Sequence, residues 1–428
     1  MTLPYKKQED TTNHPLFANL PQIEIRELLS FVDSHCGFMS AFIHRMGRYL
    51  KSESEDEYIA GELIALATNK GLSKMAESSD ITYQTLFSAT KNYLTAENLH
   101  NANDKISNAL FKLSAFTLFN IAEDTIHSSS DGQKVETQKN TINARHSPKY
   151  FGLSKGVSGY TLVANHVPVN AEIIGANEHE SHFVFDIFYN NTSDIQSDLH
   201  SVDTHGTNKV NYLILHAFLY VFAPRYKNIR TQTESLCGFE ELAHYEKMLL
   251  KLSKKIKEQC IIAEWPNIQR ILVSLGLKST TQSVIIGKLS SYARKNHTKR
   301  AMWELDNIYR SIYILKYIDN LTLRQNVQKA LNRGEAYHQL HRAIFHENAG
   351  KFSADTEKEQ HIWNECSILV GNAIVFYNAF LLSKLLEQID ITKKLEIIER
   401  IKRVSPIAWQ HYPSSRIILL NRDKKLSE

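Results

Sequence analysis

The four cysteines of this 428-residue chain, Cys36, Cys237, Cys260 and Cys366, stand far apart, and no two make a Cys-x-x-Cys pair. That excludes a zinc ribbon and a disulfide scaffold, and it fits a reducing cytosol. Proline and glycine are sparse, at 9 and 16 residues, which excludes collagen-like and long low-complexity tracts. Charge of one sign is scarce too: 50 basic against 46 acidic residues leave a net +4, too little to indicate nucleic acid by itself. The stretch 1–14 is polar and lacks the apolar centre of a signal peptide. The best membrane-span candidate, 368–386, is interrupted by Gly371, Asn372, Asn378 and Lys384, and reads as a buried helix. A soluble, cytoplasmic protein without a membrane partner is expected.

What is present is an ordinary globular composition, 43% hydrophobic and 22% charged, on a chain long enough for two or three domains. No internal repeat of fixed period is found. Between 21 and 119 apolar residues recur at three- and four-residue spacing, in 23–32, 59–68 and 85–94, which predicts helices. The period changes near Asp124. Residues 125–128 and 135–137 favour strands on either side of Asp131-Gly132, a pair common in hairpin turns. The segment 160–174 reads as two strands around a turn at His166-Val167-Pro168. A helix over 181–188, a short strand over 199–202 and an apolar helix over 211–222 follow. Helical pattern returns from 234 to 328, with basic clusters at Lys254, Lys255 and Lys257 and at Arg294, Lys295, Lys299 and Arg300. A last helical stretch runs from 329 to 403.

Three carboxylates stand out by context: Asp131 at its Asp-Gly pair, Asp203 at the end of a short strand, and Glu335 on a helix ahead of His338, His341 and Arg342. Hard divalent ions prefer such oxygen ligands, and a pair of ions can clamp the attacking and leaving oxygens of a phosphodiester displacement. Each residue also has a plainer reading: a hairpin turn for Asp131, a helix cap for Asp203, a solvated charge for Glu335. Other metal chemistry is a rival. Glu335-x-x-His338 has di-iron spacing, and His166, His179 and His182 could form a zinc site, but no helical His-Glu-x-x-His exists.

Several blocks tie the three carboxylates together. Ser130-Asp131-Gly132-Gln133-Lys134 resembles the first catalytic motif of the Tn-three family of replicative transposases. Tyr150-Phe151-Gly152 with Gly156-Val157-Ser158, then Val202-Asp203-Thr204-His205-Gly206, Phe222-Ala223-Pro224-Arg225, Leu331-Asn332-Arg333-Gly334-Glu335 and Ser405-Pro406-Ile407-Ala408-Trp409-Gln410-His411, are similar to later blocks of that family, in family order. The resemblance covers about 20–411.

The resemblance implies an α/β, RNase H-like (DDE, retroviral-integrase-like) core, interrupted by an all-helical insertion and preceded by a helical region. The expected division is 1–118 helical region, 119–230 first part of the core, 231–328 helical insertion, and 329–428 last core helices with a divergent tail. Asp131, Asp203 and Glu335 then hold two Mg²⁺ ions, replaceable by Mn²⁺. The implied activity is 3′-strand cleavage at transposon ends and strand transfer to target DNA, giving a cointegrate. Implied partners are double-stranded DNA (terminal inverted repeats and target) and a second copy of a full-length chain, in a bacterial, nucleoid-associated setting. Lys134, Arg145, Lys149, His205, Arg225, Arg333, His338 and Arg342 are the candidate DNA contacts, with internal salt bridges as the alternative for Arg333 and Arg342. Family members are considerably longer, so a truncated copy lacking the end-recognition region is expected. The alternative is a catalytically silent fragment that binds DNA or a transposase.

Overall fold

The computed structural model describes residues 10, 12, 14–18, 20–47, 56–122, 124–291, 296–389 and 391–412. The divergent tail from 413 onward, and Arg294 and Lys295 of the second basic cluster, lie outside the described residues. The architecture is mixed α/β. A sheet of six strands is formed by β1 (His127–Glu136), β2 (Arg145–His146), β3 (Lys155–Ala164), β4 (Val167–Gly175), β5 (Leu199–Ser201) and β6 (Val221–Phe222). β1 is central: it pairs antiparallel with β3 and parallel with β5, while β4 continues from β3 and β6 from β5.

Asp131-Gly132 is not a turn. It lies inside β1, a ten-residue strand that the polar run His-Ser-Ser-Ser does not advertise. The serines are buried and survive there because each hydroxyl finds a partner. Ser128 Oγ lies 2.9 Å from His200 Nδ1, Ser129 Oγ donates to the Ala330 carbonyl at 2.8 Å, and Ser130 Oγ sits 2.6 Å from the Tyr160 hydroxyl. The two-residue turn belongs to β3–β4 instead, where Asn165 and His166 take φ of 45° and 75° between Ala164 and Val167. Asparagine tolerates that left-handed conformation, and the twist suits a hairpin. Pro168 thus falls one residue inside β4, beside a register shift at Leu162/Val163. Bulges are where strands accept proline.

The predicted helix over 211–222 stops at Ala217. Leu219 turns left-handed, and Val221 and Phe222 become the strand β6. A helix and a short edge strand can carry the same apolar run, so periodicity could not separate them. Likewise 234–256 is a two-stranded ribbon, Cys237–Gly238 with Lys254–Lys255, plus a short 3-10 turn. Helices resume at Glu258–Gly276 and continue as Gln282–Ser291, His297–Asp319 and Leu321–Ile344. The last of these runs unbroken through position 328.

Two apolar cores flank the sheet. One joins Leu28, Leu63, Leu99 and Ile106 of the amino-terminal helices to Leu162 and Ile174 of the sheet and Leu369, Val370 and Ala373 of the helix Glu357–Gln388. That 32-residue helix begins with a capping box, Thr356 with Glu359. Its most apolar window has mean hydropathy 1.7 yet is 89% buried, so it is a core helix within the protein. The second core joins Tyr212, Leu213 and Phe222 to Ile268, Met302, Tyr313 and Ile314 of the 258–319 helices. Polar pins cross it: Leu213 N–H donates to Asp306 Oδ1 at 3.0 Å, and the Tyr313 hydroxyl donates to the Pro224 carbonyl at 2.8 Å.

Candidate active site

Asp131 and Asp203 both follow the last paired residues of two parallel strands, and the charge of Asp203 reaches Asp131. β1 and β5 run parallel with Ser129 opposite Ser201. Asp131 and Asp203 each come two residues later, Asp203 just past the end of β5. Neighbouring strands lie roughly 5 Å apart. Asp203 caps the short 3-10 turn Thr204–Gly206, its Oδ1 accepting from His205 N–H at 2.8 Å and Gly206 N–H at 3.0 Å. The cap therefore exists, and it aims the side chain while leaving Oδ2 open among the described residues. Asp131 Oδ1 accepts from Gly132 N–H at 2.9 Å, and Oδ2 faces His338 Nδ1 at 3.8 Å.

The helix Leu321–Ile344 crosses this face and carries Glu335. Ser129, one alternation before Asp131, fixes the helix through Ala330. Gly334 allows the close approach: a β-carbon there would stand 3.2 Å from Ser129 Oγ. One residue on, Glu335 is exposed, and its charge reaches Asp131 weakly.

The charges are unbalanced. Burial first, then the negative charges of Glu180 and Asp203, and more weakly Glu335, push the Asp131 carboxyl up to about 7, against the opposing Gly132 hydrogen bond. A fourth carboxylate, Glu180, thus acts on Asp131 from the side of β1 to which Gly132 faces. Glu180, in the 3-10 turn Glu180–His182, occupies the space a side chain at position 132 would fill, and its Oε1 accepts from Lys134 Nζ at 2.9 Å. Sequence reasoning passed over it as part of a histidine-rich cluster. No local signal identifies it: a glycine inside a strand allows a close approach but does not say which residue makes it. His338 is no counter-charge. Burial, then His341 and Arg342, hold its imidazole down to about 3, so it stands neutral beside Asp131.

Among the described residues no group of three or more His, Cys, Asp or Glu side chains is already drawn to ion-holding geometry. The donor set itself fits a hard divalent cation: all oxygen and mutually repelling, with Lys134 paired to Glu180. The rival metal readings find less. His166 turns to Asp10 and Ser405 at 3.4 and 3.3 Å, leaving His179 and His182 with each other.

The candidate DNA contacts scatter. Arg145, Lys149, His205 and Arg342 are exposed, Lys149 lying over the Tyr150 ring. Lys134 is held by Glu180, and Arg225 reaches Gln328 Oε1 at 3.1 Å. Arg333 is internal: 3% exposed, it donates to Asp10 at 2.8 Å and to the Phe119 carbonyl at 2.7 Å, the salt-bridge alternative. His338 is buried as well.

A family model described as Tn3 transposase DDE domain matches residues 27–413. Among curated relatives, the transposase for transposon Tn1546 of Enterococcus faecium is 27% identical over 424 residues, 96% of this chain and 42% of its own length. The transposase for transposon Tn501 of Pseudomonas aeruginosa is 28% identical over 395 residues, 92% of this chain and 39% of its own. The transposase for transposon gamma-delta of Escherichia coli is 25% identical over 399 residues. This chain therefore spans about two fifths of the length of those first two relatives.

Proposed function

The chain belongs to the Tn3 transposase DDE-domain family, and from that premise we propose that it carries the DNA-cleaving and strand-joining centre of a replicative transposase. One observation carries the reading: Asp131 from a central strand, Asp203 from the end of its parallel neighbour and Glu335 from a crossing helix are close enough for the last two to raise the first. The strand order β4-β3-β1-β5-β6, antiparallel on one side of β1 and parallel on the other, supports an RNase H-like core. On this reading 231–328 is an inserted helical part and 1–118 a helical region before the core.

Two bound Mg²⁺ or Mn²⁺ ions would supply Lewis-acid stabilisation of the attacking and leaving oxygens of an in-line displacement. The chain's own residues do the positioning. The Asp203 cap holds its carboxylate from the sheet side, the Ser129–Ala330 hydrogen bond holds the helix that presents Glu335, and neutral His338 adds no competing cation at Asp131. Water attack at each transposon end breaks a phosphodiester bond and leaves a 3′ hydroxyl. That hydroxyl then attacks a target phosphodiester, making one bond as another breaks, with no covalent enzyme intermediate. Double-stranded DNA is the partner, a homodimer pairs the two ends, and the bacterial cytoplasm is the setting.

A second reading, a catalytically silent fragment that binds DNA or a transposase, draws on the lack of an assembled ion-holding group among the described residues. Nicking of supercoiled plasmid in Mg²⁺ or Mn²⁺ separates the two. Wild type nicks, chelator stops it, and Asp203→Ala lowers the rate at least about a hundredfold. Nicking that persists in Asp203→Ala overturns the catalytic assignment. A folded wild type that never nicks selects the silent reading.

A further inference from the structure

We propose that a recess beside the candidate active site, between β1 and the carboxyl end of the Leu321–Ile344 helix, binds a second phosphate of the DNA strand engaged at Asp131, with His341 and Arg342 as donors. The inference rests on the DNA-cleaving reading above and adds a subsite to it. The recess has a volume of about 370 Å³ and is lined by Gln133, Lys134, His341, Arg342, Phe345 and His346, with the loop reaching Gly350.

His341 is the first reason. Only 6% exposed, it lines the recess, and neither ring nitrogen has a hydrogen-bond partner among the described residues. A neutral imidazole always carries one N–H, and a buried donor left unmet is unfavourable, so a polar acceptor belongs in the recess. Burial and then Arg342 keep this ring neutral, holding it down to about 4, which leaves that single N–H to donate.

Charge sets the class of acceptor. Arg342 is exposed and near enough to lower both His338 and His341. Lys134 lines the recess too, but its ammonium is held by Glu180 at 2.9 Å, which leaves Arg342 as the cation there. No carboxylate side chain is among the residues lining the recess; Glu347 lies just outside it, 3.9 Å from His346. A planar guanidinium beside a neutral N–H donor suits a phosphate oxygen pair.

Position sets which phosphate. His338 faces Asp131, and His341 lies three residues on along the same face of the helix, about 4.5 Å further by helical rise. Gln133, two residues beyond Asp131 and on the same face of the strand, also lines the recess, roughly 7 Å along. The recess thus continues the line of the acidic site, where the next backbone phosphate would lie. Its rim is fixed: Asn348 and Ala349 take φ of 54° and 56°, a left-handed conformation costly for alanine, and Asn348 Nδ2 donates to the Asn69 carbonyl at 2.6 Å.

The test uses the full chain with ¹³C-labelled histidine. The His341 ring signal, identified by its absence in H341N, is followed on adding inorganic phosphate and then a short duplex. Both are expected to move it. R342Q, an exposed change that spares the fold, is expected to weaken duplex binding about fivefold and to lower the slope of log affinity against log salt by about one. A His341 signal unmoved by saturating duplex overturns the subsite, as does one moved by phosphate alone (an adventitious ion only) or a wild-type salt slope in R342Q. Asp203→Ala separates the two claims. Nicking lost there with an unmoved His341 sinks only the subsite, whereas nicking retained there with a moved His341 sinks only the catalytic assignment.

Discussion

Asp10 and Asp131 both meet the helix Leu321–Ile344, and they end in opposite electrostatic states. Burial raises Asp10, but Arg333, then His166 and Lys329, outweigh it and hold the carboxyl far below the usual range. Its oxygens lie 2.8 Å from Arg333, 3.1 Å from Lys329 and 3.4 Å from His166. Asp131 has no such balance: burial and three other carboxylates raise it to about 7. The first arrangement is complete within the protein and serves stability. The second has no counter-charge at Asp131 among the described residues, and it is there that the proposed cation would sit.

The largest expected effect breaks the balanced side. Asp10→Ala leaves Arg333 buried with its charge unmet and should cost about 3–5 kcal/mol in urea unfolding at pH 7. A loss under about 1 kcal/mol would show that Asp10 does not hold this helix. The sign of the pH dependence separates the two residues next. A folded-state pKa below the unfolded value makes the Asp10 contribution present above about pH 4 and lost as pH falls below it. Asp131 is the reverse: its folded pKa is raised, so its contribution is present below about 4 and lost as pH rises from there through about 7.

Asp131→Asn should therefore flatten the fall in stability between pH 4 and 7. It should gain about 1 kcal/mol at pH 8, a figure reduced for solvent screening because the side chain is 41% exposed. The same variant should abolish a Mg²⁺-induced rise in Tm at pH 8. A Tm rise that survives in Asp131→Asn would place the cation elsewhere.

Smaller changes sharpen the contrast. Gly132→Ala puts a β-carbon 2.1 Å from Glu180 Oε1 and 2.5 Å from Ser158 Oγ, both flexible side-chain ends. Glu180 should swing away, so less repulsion reaches Asp131 and its carboxyl titrates lower, read by NMR. Gly334→Ala meets only Ser129 Oγ at 3.2 Å and should cost under about 1 kcal/mol.

Residue order made much of the site legible. Asp131, Asp203 and Glu335 were picked out through the resemblance of their contiguous motif blocks to a known family, since a contiguous block keeps its identity wherever the fold puts it. Glu180 was not readable, since its role depends on where the β3–β4 hairpin and the following turn return it to β1. Arg333 sits in the same block as Glu335, and no local pattern distinguishes an arginine aimed at solvent from one turned inward. Only position around the helix and the arrival of Asp10 decide that.

By itself the sequence determined the elements whose signals are local: the amino-terminal helices, the β3–β4 hairpin and the buried helix Glu357–Gln388. Helical period, β-branched runs and turn residues act over a few neighbours, so those forces can be read along the chain. Tertiary structure alone decided that Asp131-Gly132 lies inside a strand, that 221–222 joins the sheet, and that Glu180 enters the acidic cluster. Pairing in register and unscreened charge act between residues far apart in sequence, and their balance exists only once the chain has brought them together.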